Sequence, residues 1–205
     1  MQNQNHKIEE SKNLIDHELS QRKQEIDDAF HHCQEITSMQ KYFILISALN
    51  IEGFTNDCIE QITSYFKANP SLGCIGIDHL NLKVLSFLSR YKFKMHDRRF
   101  ESPEIKFAHD FVNCMNGNQY QDIKRMNFSQ KQWEKLLDIY SLNYGLEFAV
   151  KESIKAILNK RNSLAHGNIS DTNITKKDIK KFKEHSIAYL ETVANNTKNI
   201  FKIKD

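Results

Sequence analysis

Apolar residues recur along the first part of the chain at Ile8, Ile15, Leu19, Ile26, Phe30 and Cys33, with charged residues filling the gaps. Those intervals keep one narrow face apolar at helical spacing and predict a long amphipathic helix over residues 7–36, with the residues before it fraying. A stripe that narrow suits packing within the chain or an antiparallel helix pair with another chain. From residue 38 to 68 the pattern changes. Here Tyr42-Phe43-Ile44-Leu45-Ile46-Ser47-Ala48-Leu49 is apolar nearly all the way round, which predicts a helix enclosed in the middle of a bundle. Pro70 and Gly73 end it, because neither continues a helix cheaply.

Further helices follow at residues 77–91 and from Ser102-Pro103-Glu104, which has cap and first-turn chemistry, to Asn116-Gly117. Residues 118–128 read as an irregular connection. Ser129 then caps a helix containing Trp133, Leu136, Leu137, Ile139 and Tyr140 that ends near Asn143. Residues 146–166 form another on Phe148, Val150, Ile154, Ile157, Leu158 and Leu164, stopped by Gly167. Thr175, with Asp178 three positions on, opens a last helix reaching toward Phe201. No segment alternates as a strand would. The expectation is an all-α helical bundle, a single domain over residues 1–205 with a long N-terminal helix (1–36) and a core bundle (38–200).

Composition agrees with long helices: the 205 residues include only 6 Gly and 2 Pro. A chain of that length buries a core without disulfides or metal. Cys33, Cys58, Cys74 and Cys114 lie far apart with no metal-type spacing, no secretory signal is legible, and the greasy run at 42–51 is too short to cross a membrane. These features predict reduced thiols, a cytoplasmic location, no membrane contact, no metal site and no cofactor.

The net charge of +3 conceals a gradient: residues 1–60 hold 5 basic against 11 acidic side chains, residues 61–150 hold 12 against 9, and residues 151–205 hold 12 against 6. A cationic C-terminal part suits a polyanion such as RNA, although a solvated lysine-rich face has the same composition. Within residues 90–100, basic residues alternate with aromatics, a mixture able to hold a single strand by charge and stacking, with Arg98 and Arg99 as candidate RNA contacts.

The chemistry concentrates in Lys160-Arg161-Asn162-Ser163-Leu164-Ala165-His166-Gly167. A histidine titrates near neutral pH and an arginine grips phosphate oxygens bidentately, while Asn162, four residues before His166, shares its side of a helix. The same octapeptide also fits an ordinary helix C-terminus, with cations against the dipole and glycine in the left-handed cap. Removing Arg161 or His166 is expected to change stability by less than about 1 kcal/mol if the pair serves chemistry, and to unfold the chain if it serves as a cap.

Arg161 and His166 with Asn162 directly after the arginine resemble the Arg-x4-6-His motif of the HEPN superfamily, helical bundles that include many metal-independent ribonucleases. The greasy helix with its embedded Glu52-Gly53-Phe54, and the order Leu136-Leu137, Gly145-Leu146, then the motif helix, are similar to the MAE-type bacterial HEPN proteins of toxin-antitoxin and defence loci. The resemblance covers residues 38–200. It implies a homodimer in which two motif helices face each other, RNA as substrate, Arg161, Asn162 and His166 as catalytic residues with Lys160 beside them on the RNA, and a cognate antitoxin or defence-system partner. A catalytically silent module that binds nucleic acid or scaffolds a partner would share the architecture. In HEPN toxins silenced by nucleotidyl transfer a tyrosine follows two residues after the histidine, and here Asn168 stands in that place. Glu52, an ionisable group in an apolar helix, needs a partner, and Arg161 or a backbone donor would supply it.

Overall fold

The structure is a computed structural model that describes residues 2–35, 39–68, 134, 137, 142–167 and 174–201. Among these residues it is helical with no strand: α1 (Gln2–Glu35), α2 (Gln40–Ala68), α3 (Phe148–Ala165) and α4 (Lys176–Ile200). The expected helices at 77–91 and 102–116, Trp133, and the basic segment with Arg98 and Arg99 lie outside the described residues. Glu134 and Leu137 are helical, and residues 142–145 form a turn. The chain divides into two compact units, one of Met1–Cys58 with Tyr144–Asn195 and one of Ile59–Asn143 with Asn196–Asp205.

In the first unit the stripe of α1 packs inside the chain. Ile8, Ile15, Ile26 and Cys33 are buried, Phe30 meets Phe43 of α2 edge-on at 6.3 Å, and Arg22 reaches Asp57 at 3.0 Å. Positions that rise along α1 therefore meet positions that fall along α2, so the two helices run antiparallel. Ion pairs between Lys23 and Glu191 (2.5 Å) and between Asp27 and Lys183 (2.7 Å) set α1 antiparallel to α4 as well, with the Lys183 ammonium 4.6 Å from the centre of the Phe30 ring. Thr55 and Tyr189 share a buried hydroxyl–hydroxyl bond of 2.6 Å between α2 and α4. Ser153 of α3 meets His185 of α4 at 2.6 Å. The fraying expected before residue 7 is not seen: α1 begins at Gln2.

Helix α2 departs from the expectation of full enclosure. Its Phe43, Ile44, Ala48, Ile51 and Phe54 are buried, but Tyr42, Leu45 and Leu49 are 44%, 37% and 62% exposed. An apolar run fits any face to a core, and here the unit supplies neighbours for one side only. The helix is described as far as Ala68, and Pro70 and Gly73, expected to end it, lie outside the described residues. The cap of α4 is also as read from sequence. Thr175 Oγ1 accepts from the Asp178 backbone N–H at 3.1 Å, and Asp178 Oδ2 accepts from the Thr175 N–H at 2.9 Å. The Thr175 hydroxyl also donates to Asp178 Oδ2 at 2.7 Å, and this bond together with that from the Thr175 N–H holds the Asp178 carboxyl below its usual range.

In the second unit Leu137, Leu142, Ile62 and Phe201 are buried. The Leu142 N–H donates to the Leu137 carbonyl at 2.9 Å, and the Asn196 amide donates to the Leu142 carbonyl at 2.9 Å, fastening the 142–145 turn to the end of α4. Gly145, at φ +72°, gives this turn its left-handed residue.

Gly53 offers a direct test of the α1–α2 packing. The Arg22 guanidinium lies across α2 where Gly53 has no side chain, and an added Cβ would meet it at 3.5 Å, an ordinary contact. Glycine inside a helix costs about 0.5–1 kcal/mol relative to alanine. Gly53→Ala is therefore expected to raise unfolding stability by about that amount, read as a higher denaturant midpoint at constant slope. A lower midpoint would show that Arg22 cannot accommodate the methyl group.

Candidate active site

Glu52, Gly53 and Phe54 are consecutive on α2, and the helical rotation sends them three ways. Phe54 enters the core, Gly53 lies under Arg22, and Glu52 turns toward α3, where Arg161 Nη2 donates to its Oε1. The two side chains are 16% and 19% exposed, so this ion pair is largely withdrawn from water. Burial pushes the Glu52 carboxyl up, and the charge and hydrogen bond of Arg161 pull it back only in part. Ionised Glu52 consequently carries a desolvation cost in the fold that grows as pH rises through its raised titration range and vanishes below its ordinary range.

The pair fixes one edge of the guanidinium. Arg161 Nε is buried without a hydrogen-bond partner. An unmet buried donor of this kind costs about 1–3 kcal/mol.

His166 is placed differently. It follows the last residue of α3, its own N–H donating to the Asn162 carbonyl at 3.1 Å, and its side chain is exposed. Gly167, at φ +76°, closes the helix in the left-handed conformation that glycine adopts without strain. Five residues at about 100° each leave Arg161 and His166 roughly 140° apart around the helix axis. Arg161 thus belongs to the inward side, with Ile154, Ile157 and Leu158, while His166 faces out. Asn162, partly exposed, is on the outward side one turn before His166. Among the described residues no hydrogen bond joins its amide to the imidazole.

The charge of Lys160 adds to the Thr175 bonds that hold the Asp178 carboxyl down. The structure brings together Glu52 and Arg161 from α2 and α3 and turns Asn162 and His166 roughly 100° and 140° away from Arg161 around α3; Arg98 and Arg99 lie outside the described residues. Sequence reading passed over Arg22, whose only signal was a charge on the α1 face opposite an isolated helical glycine. No helix among the described residues is long and apolar enough to cross a membrane.

The sequence profile described as MAE_28990-like HEPN matches residues 11–205. No curated protein and no solved structure matches the chain. A profile match of that extent points to nuclease or nucleic-acid-related chemistry.

Proposed function

The chain belongs to the HEPN family, and we propose on that premise that it is a metal-independent endoribonuclease acting as a toxin or antiphage effector. The observation that carries this reading is the division of labour on α3: a guanidinium oriented by Glu52, and an exposed imidazole at the helix end. In the reaction the 2′-oxygen attacks the adjacent phosphorus and the P–O5′ bond breaks. One imidazole takes the proton of the 2′-hydroxyl, a second group protonates the departing 5′-oxygen, and Arg161 balances the charge that gathers on the phosphoryl oxygens. The products are a 2′,3′-cyclic phosphate and a 5′-hydroxyl. Asn162 helps hold the substrate beside His166. A cognate antitoxin or defence-system partner would restrain the activity.

A single motif offers one histidine for two proton transfers, so the reading includes a two-fold homodimer in which His166 of each copy takes one of them. The exposed strip Tyr42, Leu45 and Leu49 supports self-association as apolar surface that a second copy would cover. Purified protein incubated with RNA in excess EDTA is expected to yield fragments ending in cyclic phosphate; intact RNA would favour the silent module. Equal mixing with a His166→Ala chain, after subunit exchange, should leave about one quarter of the activity, the square of the intact fraction. A linear fall would show that each copy works alone.

A further inference from the structure

Helix α4 begins with a feature that neither the fold nor the proposed chemistry uses. Lys176, Lys177, Lys180 and Lys181 occupy its first two turns, and all four are exposed. At about 100° per residue they fall within an arc of about 140°, on the side of α4 opposite the buried Ile179 and Phe182. Glu184 lies on that arc and Asp178, bound to Thr175, lies at its edge, so the four lysines leave the arc with a net positive charge. Among the described residues none of the four forms an ion pair, unlike Lys183, which Asp27 holds. Lys176 and Lys177 stand in the first turn, where the helix dipole favours anions and disfavours cations. Their charges bring the helix no stability.

The bond between Ser153 and His185 fixes where the arc lies. Ser153 is twelve residues before the end of α3 and His185 nine after the start of α4. A contact so nearly symmetric about the connection sets the two helices antiparallel. His166 at the end of α3 and the lysines at the start of α4 therefore lie at the same end of the unit. The charge of Lys160 acts on Asp178 together with that of Lys181, which adds a cation from α3.

We infer that this arc is a landing surface for the phosphates of the RNA substrate, outside the reacting atoms. The inference rests on the ribonuclease reading above and adds a subsite to it. Charge complementarity favours RNA over a protein partner. A protein interface is rich in aromatic residues and poor in lysine at its core, whereas the exposed large apolar residues among those described are Leu14, Tyr42, Leu45, Leu49, Tyr144 and Phe148, none of them on α4. Nor does the proposed second copy need the arc. Asn162 and His166 are turned about 180° and 140° around α3 from Ser153, the residue that meets α4. Two arcs meeting face to face would oppose lysine to lysine.

The test uses the full chain and a fluorescein-labelled 2′-O-methyl RNA of about twelve nucleotides, which lacks the attacking hydroxyl and is not cut. Affinity is measured over a range of salt concentrations. Lys176→Gln, Lys177→Gln, Lys180→Gln and Lys181→Gln combined should weaken binding about tenfold or more at low salt. The logarithmic salt slope should flatten by about 0.7 for each lysine on a phosphate, about 2–3 in all. The four arginine replacements should retain both, because arginine keeps the charge and grips phosphate. Lys177→Gln with Lys181→Gln should cost more slope than Lys7→Gln with Lys12→Gln, which removes the same charge near the start of α1. The four-glutamine chain should unfold at a denaturant midpoint no lower than the parent's, since cations have left the positive end of the helix dipole.

An unchanged salt slope would overturn the inference and leave the arc to an acidic protein or to solvent. Equal loss in the α1 pair would overturn it by making the effect one of net charge, and a lower midpoint by giving the lysines to the fold. If the parent and variants bind in the expected pattern yet ordinary RNA stays intact, the ribonuclease reading falls and the landing surface stands. If the parent cuts RNA while the four-glutamine chain binds with parental slope, the landing surface alone falls, and absence of any RNA binding removes both.

Discussion

His166→Ala should lower RNA cleavage by a factor on the order of 10²–10⁴, the usual worth of a positioned acid or base. The same change should leave the fold almost untouched. His166 lies past the end of α3 with its side chain in water, and its structural bond runs through its backbone N–H to Asn162, which alanine keeps. Thermal unfolding is therefore expected within about 1 kcal/mol of the parent. Cleavage at the parental rate would remove His166 from the chemistry, and an unfolded variant would make it a helix cap instead.

Arg161→Ala should lose cleavage too, but it should also lose stability, and here the structure corrects what the sequence led one to expect. A helix-end arginine in water is dispensable to folding, whereas this one neutralises a carboxylate that is 16% exposed. Removing it strands Glu52, at an expected cost of about 1–3 kcal/mol, below the roughly 3–5 kcal/mol seen when fully enclosed pairs are broken. Without Arg161 nothing opposes the burial that already raises the Glu52 carboxyl. The deficit should hence be greatest at neutral and alkaline pH and shrink as the pH falls through the raised range of Glu52. Adding Glu52→Gln to Arg161→Ala removes the stranded charge and should return most of the stability while cleavage stays lost. A double variant as unstable as Arg161→Ala would mean that packing of the arginine stem, not its charge, supports the fold.

What could be read in advance divides by distance along the chain. The Thr175–Asp178 cap and the α1 stripe were legible because each depends on neighbours within a turn or two. The need of Glu52 for a partner was legible from desolvation alone, and Arg161 was one of the donors that need allowed. Which face of α2 would stay in water was not, since Tyr42 and Leu49 are as apolar as Phe43 and Ile44 and only the neighbours in the unit distinguish them. The inward aim of Arg161 and the outward aim of His166 were implicit in a spacing of five, but that spacing becomes a direction only when the buried side of α3 is known. The exposure of Phe148 was hidden for the same reason: an apolar residue at a helix start carries no mark of the side it will face.

The contact that orients the arginine joins residues 109 positions apart. Closing a loop of that length has an entropic cost that only the rest of the bundle offsets, so the pair forms as a product of folding and not ahead of it. During synthesis Glu52 emerges long before its partner, and a nascent chain displays α1 and α2 before Arg161 has been made. A chain assembled in this order has no oriented Arg161 while its first half is still being made on the ribosome, itself built largely of RNA. On the proposed ribonuclease reading, hazard to the translating machinery would begin with release of the α3 segment, not with the first helix.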